Sequence, residues 1–379
     1  MSEIQQPTAR LIGWFRESAG PLWARAGWDG EKGGFFEALD FTGTPCRGHR
    51  RVRVQSRQVY TFSMIGKRSW LAGAESIAAE GFDYLVKKTC PDDGRRGCAH
   101  IIDDNGSIID DRRDLYDQAF LLLACAGRID AAGCARAAAI GERTMAFLNA
   151  ELRSPYGGWL ENDQGDLPRR QNPHMHLLEA FMALYRATGD DHWRTAADDV
   201  VDLFDRYFFD DTTSTLGEYF SADFTERDAA RGAIIEPGHM MEWVWLLNRY
   251  AVLTGSDLRR AAAPLYEAAK ALADNNGFLP DAIGAGDGPG ARRLWPQTEY
   301  IRASLCLSQL TGDAYNQDAA AMIEKVFETY LNHPVAGLWC DQYDAHEKPI
   351  ARDVPASILY HLYGAVAECA RVAEGEDHA

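Results

Sequence analysis

The sequence lacks the marks of several large function classes. It holds no uninterrupted run of 18 apolar residues, so a membrane-spanning helix is not expected. It has no CxxC pair, and its eight cysteines, at 46, 90, 98, 125, 134, 306, 340 and 369, follow no disulfide framework. Reduced thiols in a cytoplasmic protein are the expectation. Met1 to Arg10 shows no basic start followed by an apolar stretch, so no secretory signal is read there. Basic charge is scarce: 39 Lys and Arg stand against 56 Asp and Glu, a net charge of −17. Such a surface repels phosphate backbones and anionic lipid, which makes nucleic acid and membranes poor partners. Phosphate-loop and dinucleotide fingerprints are missing, for Gly284 to Gly290 is glycine-rich but lacks both a preceding strand and a following Lys-Ser/Thr.

What the chain does have is a period. Short segments of glycine with aromatic or apolar residues begin at Gly33, Gly97, Gly157, Gly217, Gly277 and Gly337, spaced by 64 residues once and by 60 four times. Self-similarity at fixed spacing marks a repeated supersecondary unit. Helix openings recur in step at Val54, Asp114, Asn172, Glu236, Trp295 and Val354, with Pro173, Pro237, Pro296 and Pro355 expected at first helical positions. The first helix of each pair is apolar nearly all round, as from Leu115 to Cys125, and the second is amphipathic, as from Trp193 to Tyr207. Residues 9 to 26 supply an outer helix that completes a circle begun at the carboxyl end. The expected fold is all-α, one (α/α)6 barrel over residues 1–379, with short β-hairpins around one mouth; an open solenoid is the rival arrangement. Connections 41–53, 210–235 and 284–293 are candidate lids.

In such a ring the inner helices all start at one mouth. That gathers Arg57, Tyr116, Asp117, Asn172, His176, Glu179, Glu236, His239, Glu242, Gln297, Glu299 and His361 around one cavity. Three histidines with an arginine opposite suit proton transfer near neutral pH through an oxyanionic intermediate. His174 cannot share a face with His176 and is read as structural. His49, His100, His192, His333, His346 and His378 are read as surface, and the arginine pairs 95/96, 112/113, 169/170 and 292/293 as solvated charge. Trp159, Trp295 and Trp339 are core residues or platforms for a sugar face. His176-x-x-Glu179 and Glu236-x-x-His239-x-x-Glu242 have spacing a metal could use, but HExxH is missing and an arginine at the mouth opposes a cation. Metal is therefore the rival reading. A glycoside hydrolase would need two opposed carboxylates from Asp117, Glu236, Glu242 and Glu299.

The segments Val54-Gln-Ser-Arg57-Gln, Asp114-x-Tyr-Asp-x-Ala-Phe120, Asn172-Pro-His-Met-His-Leu-Leu-Glu-Ala180, Glu236-Pro-Gly-His-x-x-Glu-Trp243, Trp295-Pro-Gln-Thr-Glu299 and Pro355-Ala-Ser-x-x-Tyr-His361 together resemble the N-acylglucosamine 2-epimerase superfamily. The resemblance implies the same barrel, a small sugar as substrate, no metal or redox cofactor, and a monomer or homodimer. It implies functional roles for Arg57, His176, His239, Glu242 and His361, with Asn172, Tyr116, Asp117, Glu236, Trp295, Glu299 and Trp339 around the substrate. By the same analogy His361 moves a proton between C2 and C1, His239 is oriented by Glu242 for ring opening or for the opposite face, and Arg57 holds O1 and O2. The His-Met-His-Leu-Leu-Glu-Ala segment is similar to the mannose isomerase branch, which makes D-mannose to D-fructose the expected reaction and 2-epimerisation the alternative. Ser357 departs from the glutamine of the sulfoquinovose isomerase pattern.

Overall fold

The computed structural model describes residues 4–284, 290–311 and 314–375. Residues 285–289 of the candidate lid at 284–293, and His378, lie outside the described residues. Helices alternate between an outer and an inner position along the chain. The amino-terminal outer element is α1 (Gln5–Trp14), a π-helical turn (Phe15–Ala19) and α2 (Gly20–Ala26). Then follow inner α3 (Val52–Lys67) and outer α4 (Ala74–Thr89), inner α5 (Leu115–Ala132) and outer α6 (Ala135–Phe147), and inner α7 (Gln171–Thr188) and outer α8 (Asp191–Leu203). Inner α9 (Pro237–Thr254), outer α10 (Arg259–Ala271), inner α11 (Leu294–Thr311), outer α12 (Ala314–Thr329) and inner α13 (Ser357–Glu374) complete the set. Each inner helix packs on the next, α13 packs back on α3, and α1 lies between α13 and α12. The ring is closed, and the fold is an (α/α)6 barrel.

Burial follows from composition. In α5 every residue from Asp117 to Arg128 is buried, as expected for a helix with neighbours on all sides. In α8 only the stripe Trp193, Ala196, Ala197, Val200, Val201 and Leu203 is buried, and solvent takes the charged face. Proline placement differs from expectation. Pro237 alone opens its helix; Pro173 and Pro296 are third residues, still in the turn whose N–H groups lack intrahelical partners, and Pro355 precedes α13.

The periodic glycine segments are what register the helices. In three repeats a glutamine on the first turn of the inner helix grips the backbone of the preceding glycine segment with both ends of its amide. Gln55 accepts from Phe35 N–H (2.7 Å) and donates to Phe35 O (2.7 Å). Gln118 does the same to Cys98 (2.8 and 2.9 Å), and Gln297 to Leu279 (3.0 and 2.8 Å). In the third repeat His174 takes that place, accepting from Trp159 N–H at 3.1 Å. Gly97 shows why glycine is needed: its φ is +62°, and a Cβ there would sit 2.1 Å from the Gln118 oxygen.

The opposite edge of five of the six glycine segments is bonded to the start of the previous inner helix; the exception faces α9, which begins with Pro237 and has no N–H to give there. Val52 N–H donates to His100 O, Leu115 to Glu161 O, Gln171 to Glu218 O and Leu294 to Asp341 O. Ala356 N–H donates to Glu37 O, so the last repeat is tied to the first by the same bond. The short strands obey this logic. Some are hairpins as expected, such as Ala38–Leu39 with Pro45–Cys46. Others join neighbouring repeats: Arg50–Arg51 with Ile101–Ile102, Arg169–Arg170 with Tyr219–Phe220, Arg292–Arg293 with Gln342–Tyr343, and Val354–Pro355 with Ala38–Leu39.

Gln118→Ala strands a buried N–H and a buried C=O of Cys98, each worth about 1–3 kcal/mol when left unpaired. Urea unfolding should therefore show a loss of at least about 2 kcal/mol; a loss under about 1 kcal/mol would show the grip to be dispensable.

Candidate active site

The first turns of the six inner helices line a cavity of about 310 Å³. Arg53 and Arg57 come from α3, Tyr116 from α5, Asn172 and His176 from α7, and His239 and Glu242 from α9, with Glu236 just before it. Trp295 comes from α11 and Ser357, Ile358 and His361 from α13, while Arg51, Arg293 and Asp341 complete the rim. The structure thus brings the three expected histidines and Arg57 to one place.

Each histidine sits in a different electrostatic setting. His361 Nδ1 lies 2.8 Å from Glu299 Oε1, which fixes the tautomer with the proton on Nδ1 and leaves Nε2 as an acceptor. Burial pushes its pKa below the ordinary histidine value, Glu299 opposes that, and Arg57 and Arg302 add to the lowering. His176 is pushed down to about 3, by burial above all. It is stacked against Tyr116 and packed on Phe120, with Nδ1 3.5 Å from Glu179. His239 is the reverse case. Burial disfavours its charge, but Glu218 at 3.0 Å and Glu236 at 3.4 Å outweigh that and raise it to about 10. Asn172 faces His239 Nε2 at 3.0 Å, and its Oδ1 has no partner as placed. A protonated Nε2 requires the amide turned over, with Oδ1 accepting the bond.

The carboxylates divide likewise. Burial drives Glu242 well above the ordinary range, helped by the charges of Glu299 and Glu179, and neither of its oxygens has a partner. Glu299, although fully buried, is held below the ordinary value by Arg302 and His361. Arg302 bridges Glu299 (3.3 Å) and Glu179 (3.4 Å). Among the described residues no carboxylate pairs with Arg57. Its Nη2 donates to Tyr116 OH at 2.9 Å and its guanidinium lies 4.1 Å from the Phe120 ring centre, which keeps a cation available to an anion in the cavity. Trp295 packs against both His239 and His361, and Gly238 permits this: a Cβ there would meet the indole at 2.5 Å.

Several expectations need correction. Trp339 is not at the cavity; it is fully buried and stacked on Trp23, ring centres 5.0 Å apart. Asp117 lies behind the wall, accepting from Arg53 N–H (3.0 Å) and facing His100 Nδ1 (2.5 Å). His100 is therefore a buried partner, not a surface residue. Glu299 does not reach the cavity and instead holds His361 from behind. His239 is oriented by Glu218 and Glu236, not by Glu242. Arg113, Arg169 and Arg292, read as solvated, are buried, and Arg293 lies on the cavity rim. Of the candidate lids, 41–53 contributes Arg51 and Arg53, and among the described residues none of 210–235 lines the cavity. Of the four carboxylates considered for hydrolysis, two, Glu236 and Glu242, are on the wall.

Glu218 and Arg302 were not anticipated. A signal for Glu218 existed: it is the charged residue in a position that Gly34, Cys98, Gly158, Phe278 and Leu338 fill in the other repeats. Buried groups His176/Glu179/Glu242 and Glu218/Glu236/His239 each bring donor atoms within 4.8 Å. His239, held as an imidazolium, would have to lose its proton before the second group could hold a cation.

The sequence profile of N-acylglucosamine 2-epimerase (GlcNAc 2-epimerase) matches residues 34–365. The chain belongs to this family. It is 35% identical to a mannose-6-phosphate isomerase of Rhizobium meliloti (strain 1021), covering 97% of each chain, and 30% identical to a D-mannose isomerase of Thermobifida fusca over 72% of each. Its fold matches that of the cellobiose 2-epimerase of Bacillus thermoamylovorans B4167 with a TM-score of 0.87 at 18% identity, covering 96% of this chain and 99% of that one. Family members of this kind are carbohydrate isomerases and epimerases, and the protein is an enzyme of that class. Among the described residues no helix is long and apolar enough to cross a membrane.

His239 should remain an imidazolium at pH 8, since its folded-state value near 10 stands above the ordinary histidine value of about 6.5. A raised folded-state pKa contributes stability in full below about pH 6.5 and loses it as pH rises toward 10. Imidazole NMR of wild type and Glu218→Gln tests this: the variant should titrate at lower pH, and a neutral His239 at pH 8 in wild type would refute the assignment.

Proposed function

We propose that the protein interconverts a free aldose and its ketose, D-mannose and D-fructose, by proton transfer through an enediolate. The observation that carries this reading is a neutral His361, its Nδ1 proton committed to Glu299, facing the same cavity as the unpaired cation of Arg57. Removing a C2 proton needs an uncharged base, and the enediolate it leaves needs a positive group near O1 and O2. His361 and Arg57 fill those roles. His239, as an imidazolium, is the acid that protonates the ring oxygen during opening. The carboxyl of Glu242 and the amide of Asn172 hold hydroxyls, His176 backs the wall, and Trp295 covers an apolar sugar face. His361 then returns its proton to C1 while the O2 hydroxyl proton passes to O1, which leaves a C2 ketone and a C1 hydroxymethyl group. The aldose-ketose isomerases among the relatives support this outcome over 2-epimerisation, in which the proton would return to the other face of C2 from the His239 side.

One observation favours a phosphorylated substrate as a second reading. Arg51, Arg53 and Arg293 lie together on the cavity rim. Arg53 is 3.6 Å from Asp117 and Arg293 3.2 Å from Asp281, so both are oriented and both retain donors for a 6-phosphate. The Rhizobium relative is named for such a substrate.

Incubation with mannose in heavy water containing a chelator should yield fructose carrying deuterium at C1. His361→Ala should lower kcat by about 10²–10⁴-fold. Deuterium at C2 with only aldoses formed would make the enzyme an epimerase, and no exchange with any hexose would sink both. On the phosphorylated reading, mannose 6-phosphate should exceed mannose in kcat/KM at least tenfold, and Arg293→Gln should remove that preference; equal values return the assignment to the free sugar.

A further inference from the structure

The inner helices end at the opposite mouth of the barrel, where a second cavity encloses about 170 Å³. Its lining shares no residue with that of the catalytic cavity. Five arginines, Arg68, Arg186, Arg249, Arg302 and Arg371, stand on its wall against two carboxylates, Glu179 and Glu368. Carboxylates beyond the lining offset part of this charge, for Arg68 meets Glu374 at 3.4 Å and Arg186 meets Asp130 at 4.0 Å, both at the exposed rim.

Part of this charge has a plain structural role. Arg68 caps α3, and Arg186 and Arg371 lie in the last turns of their helices, where cations suit the carbonyl ends. Glu368 engages Arg249 at 2.7 Å and also Arg371. That account stops at Arg302. It stands mid-helix in α11, is buried, and leaves its Nε without a partner although its Nη atoms reach Glu179 and Glu299. Its guanidinium lies 3.4 Å from the Trp245 ring centre. Gly364 leaves it room, for a Cβ there would come within 3.3 Å of Arg302 Cζ. A buried N–H without an acceptor, on the wall of a cation-rich cavity, calls for an oxyanion.

We propose that this basin binds a phosphate group, as inorganic phosphate or as a small phosphate monoester, with Arg302 at its floor and Arg68 and Arg186 at its rim. Guanidinium forks match phosphate oxygens in pairs, and the Tyr60, Trp245 and Tyr363 rings offer a face to the organic part of an ester. The site is independent of the isomerase assignment, because occupancy is measured without turnover.

The test is calorimetric titration of the full chain with inorganic phosphate, and separately with glycerol phosphate, at constant ionic strength. Wild type and Arg53→Gln/Arg293→Gln, altered at the catalytic mouth, should both show saturable binding. Arg68→Gln/Arg186→Gln should bind at least tenfold more weakly while keeping the wild-type circular dichroism. If the double variant fails to fold, Arg186→Gln alone, whose side chain is nearly half exposed, gives the same reading. Tighter binding of glycerol phosphate identifies an ester as the ligand, and the reverse identifies the free ion. No saturable binding in wild type, or binding lost at the catalytic mouth and retained in Arg68→Gln/Arg186→Gln, overturns the proposal.

Discussion

The structure depends on a backbone grip repeated around the ring. Gln55, Gln118 and Gln297, with His174 in the equivalent place, each clasp the glycine segment before their own helix, and the start of each of these helices also gives an N–H to the glycine segment of the next repeat. The first turns of α3, α5, α7 and α11 are therefore bonded on both sides, and their angular position and depth are set together. The side chains proposed for catalysis occupy the first two turns of those helices. A fold that holds its helix starts this firmly can bring groups from six remote stretches of chain to within contact of one small molecule.

Within the cavity, chemistry comes from unequal surroundings imposed on like side chains. His361 and His239 are both buried and both face carboxylates, yet one is neutral and the other charged. His361 has one carboxylate, which Arg302 partly neutralises, with Arg57 nearby; His239 has two, with no arginine bridging them. Glu242 and Glu299 differ for the same reason, since Arg302 pairs with the second and not the first. One buried guanidinium thus sets the ionisation of several groups that could otherwise exchange protons indiscriminately. An acid and a base can then coexist near pH 7, as the proposed ring opening and enolisation require.

Much was legible before any coordinates. The glycine period gave six units, and the contrast between apolar and amphipathic helices assigned them to inner and outer rings. The three cavity histidines could be chosen because helical periodicity separates His176 from His174. Less legible was anything depending on which neighbour a side chain meets. Asp117 and Glu299 were expected at the substrate because they sit on the right turn, but a first turn has both an inward and a sideways face, and these two point sideways to His100 and His361. Trp339 belongs to a glycine segment whose aromatic residue turns to the outer layer. The buried arginines looked solvated because what buries them is the glycine segment of their own repeat folding back on the chain, as Trp159 O does for Arg169 and Asp274 for Arg292, which no periodicity shows.

The chain's own pattern of residues thus determined the architecture, the mouth at which chemistry gathers and the identity of most groups there, because periodicity and helix-start chemistry are local properties. Tertiary structure alone decided which carboxylate serves which histidine, hence which is acid and which is base, and it alone assembled the arginine basin at the far mouth. Those outcomes depend on contacts between residues 21 positions apart for His239 and Glu218, 62 for His361 and Glu299 and 123 for Arg302 and Glu179, and on the loss of water around them. Neither is written in any local stretch of sequence.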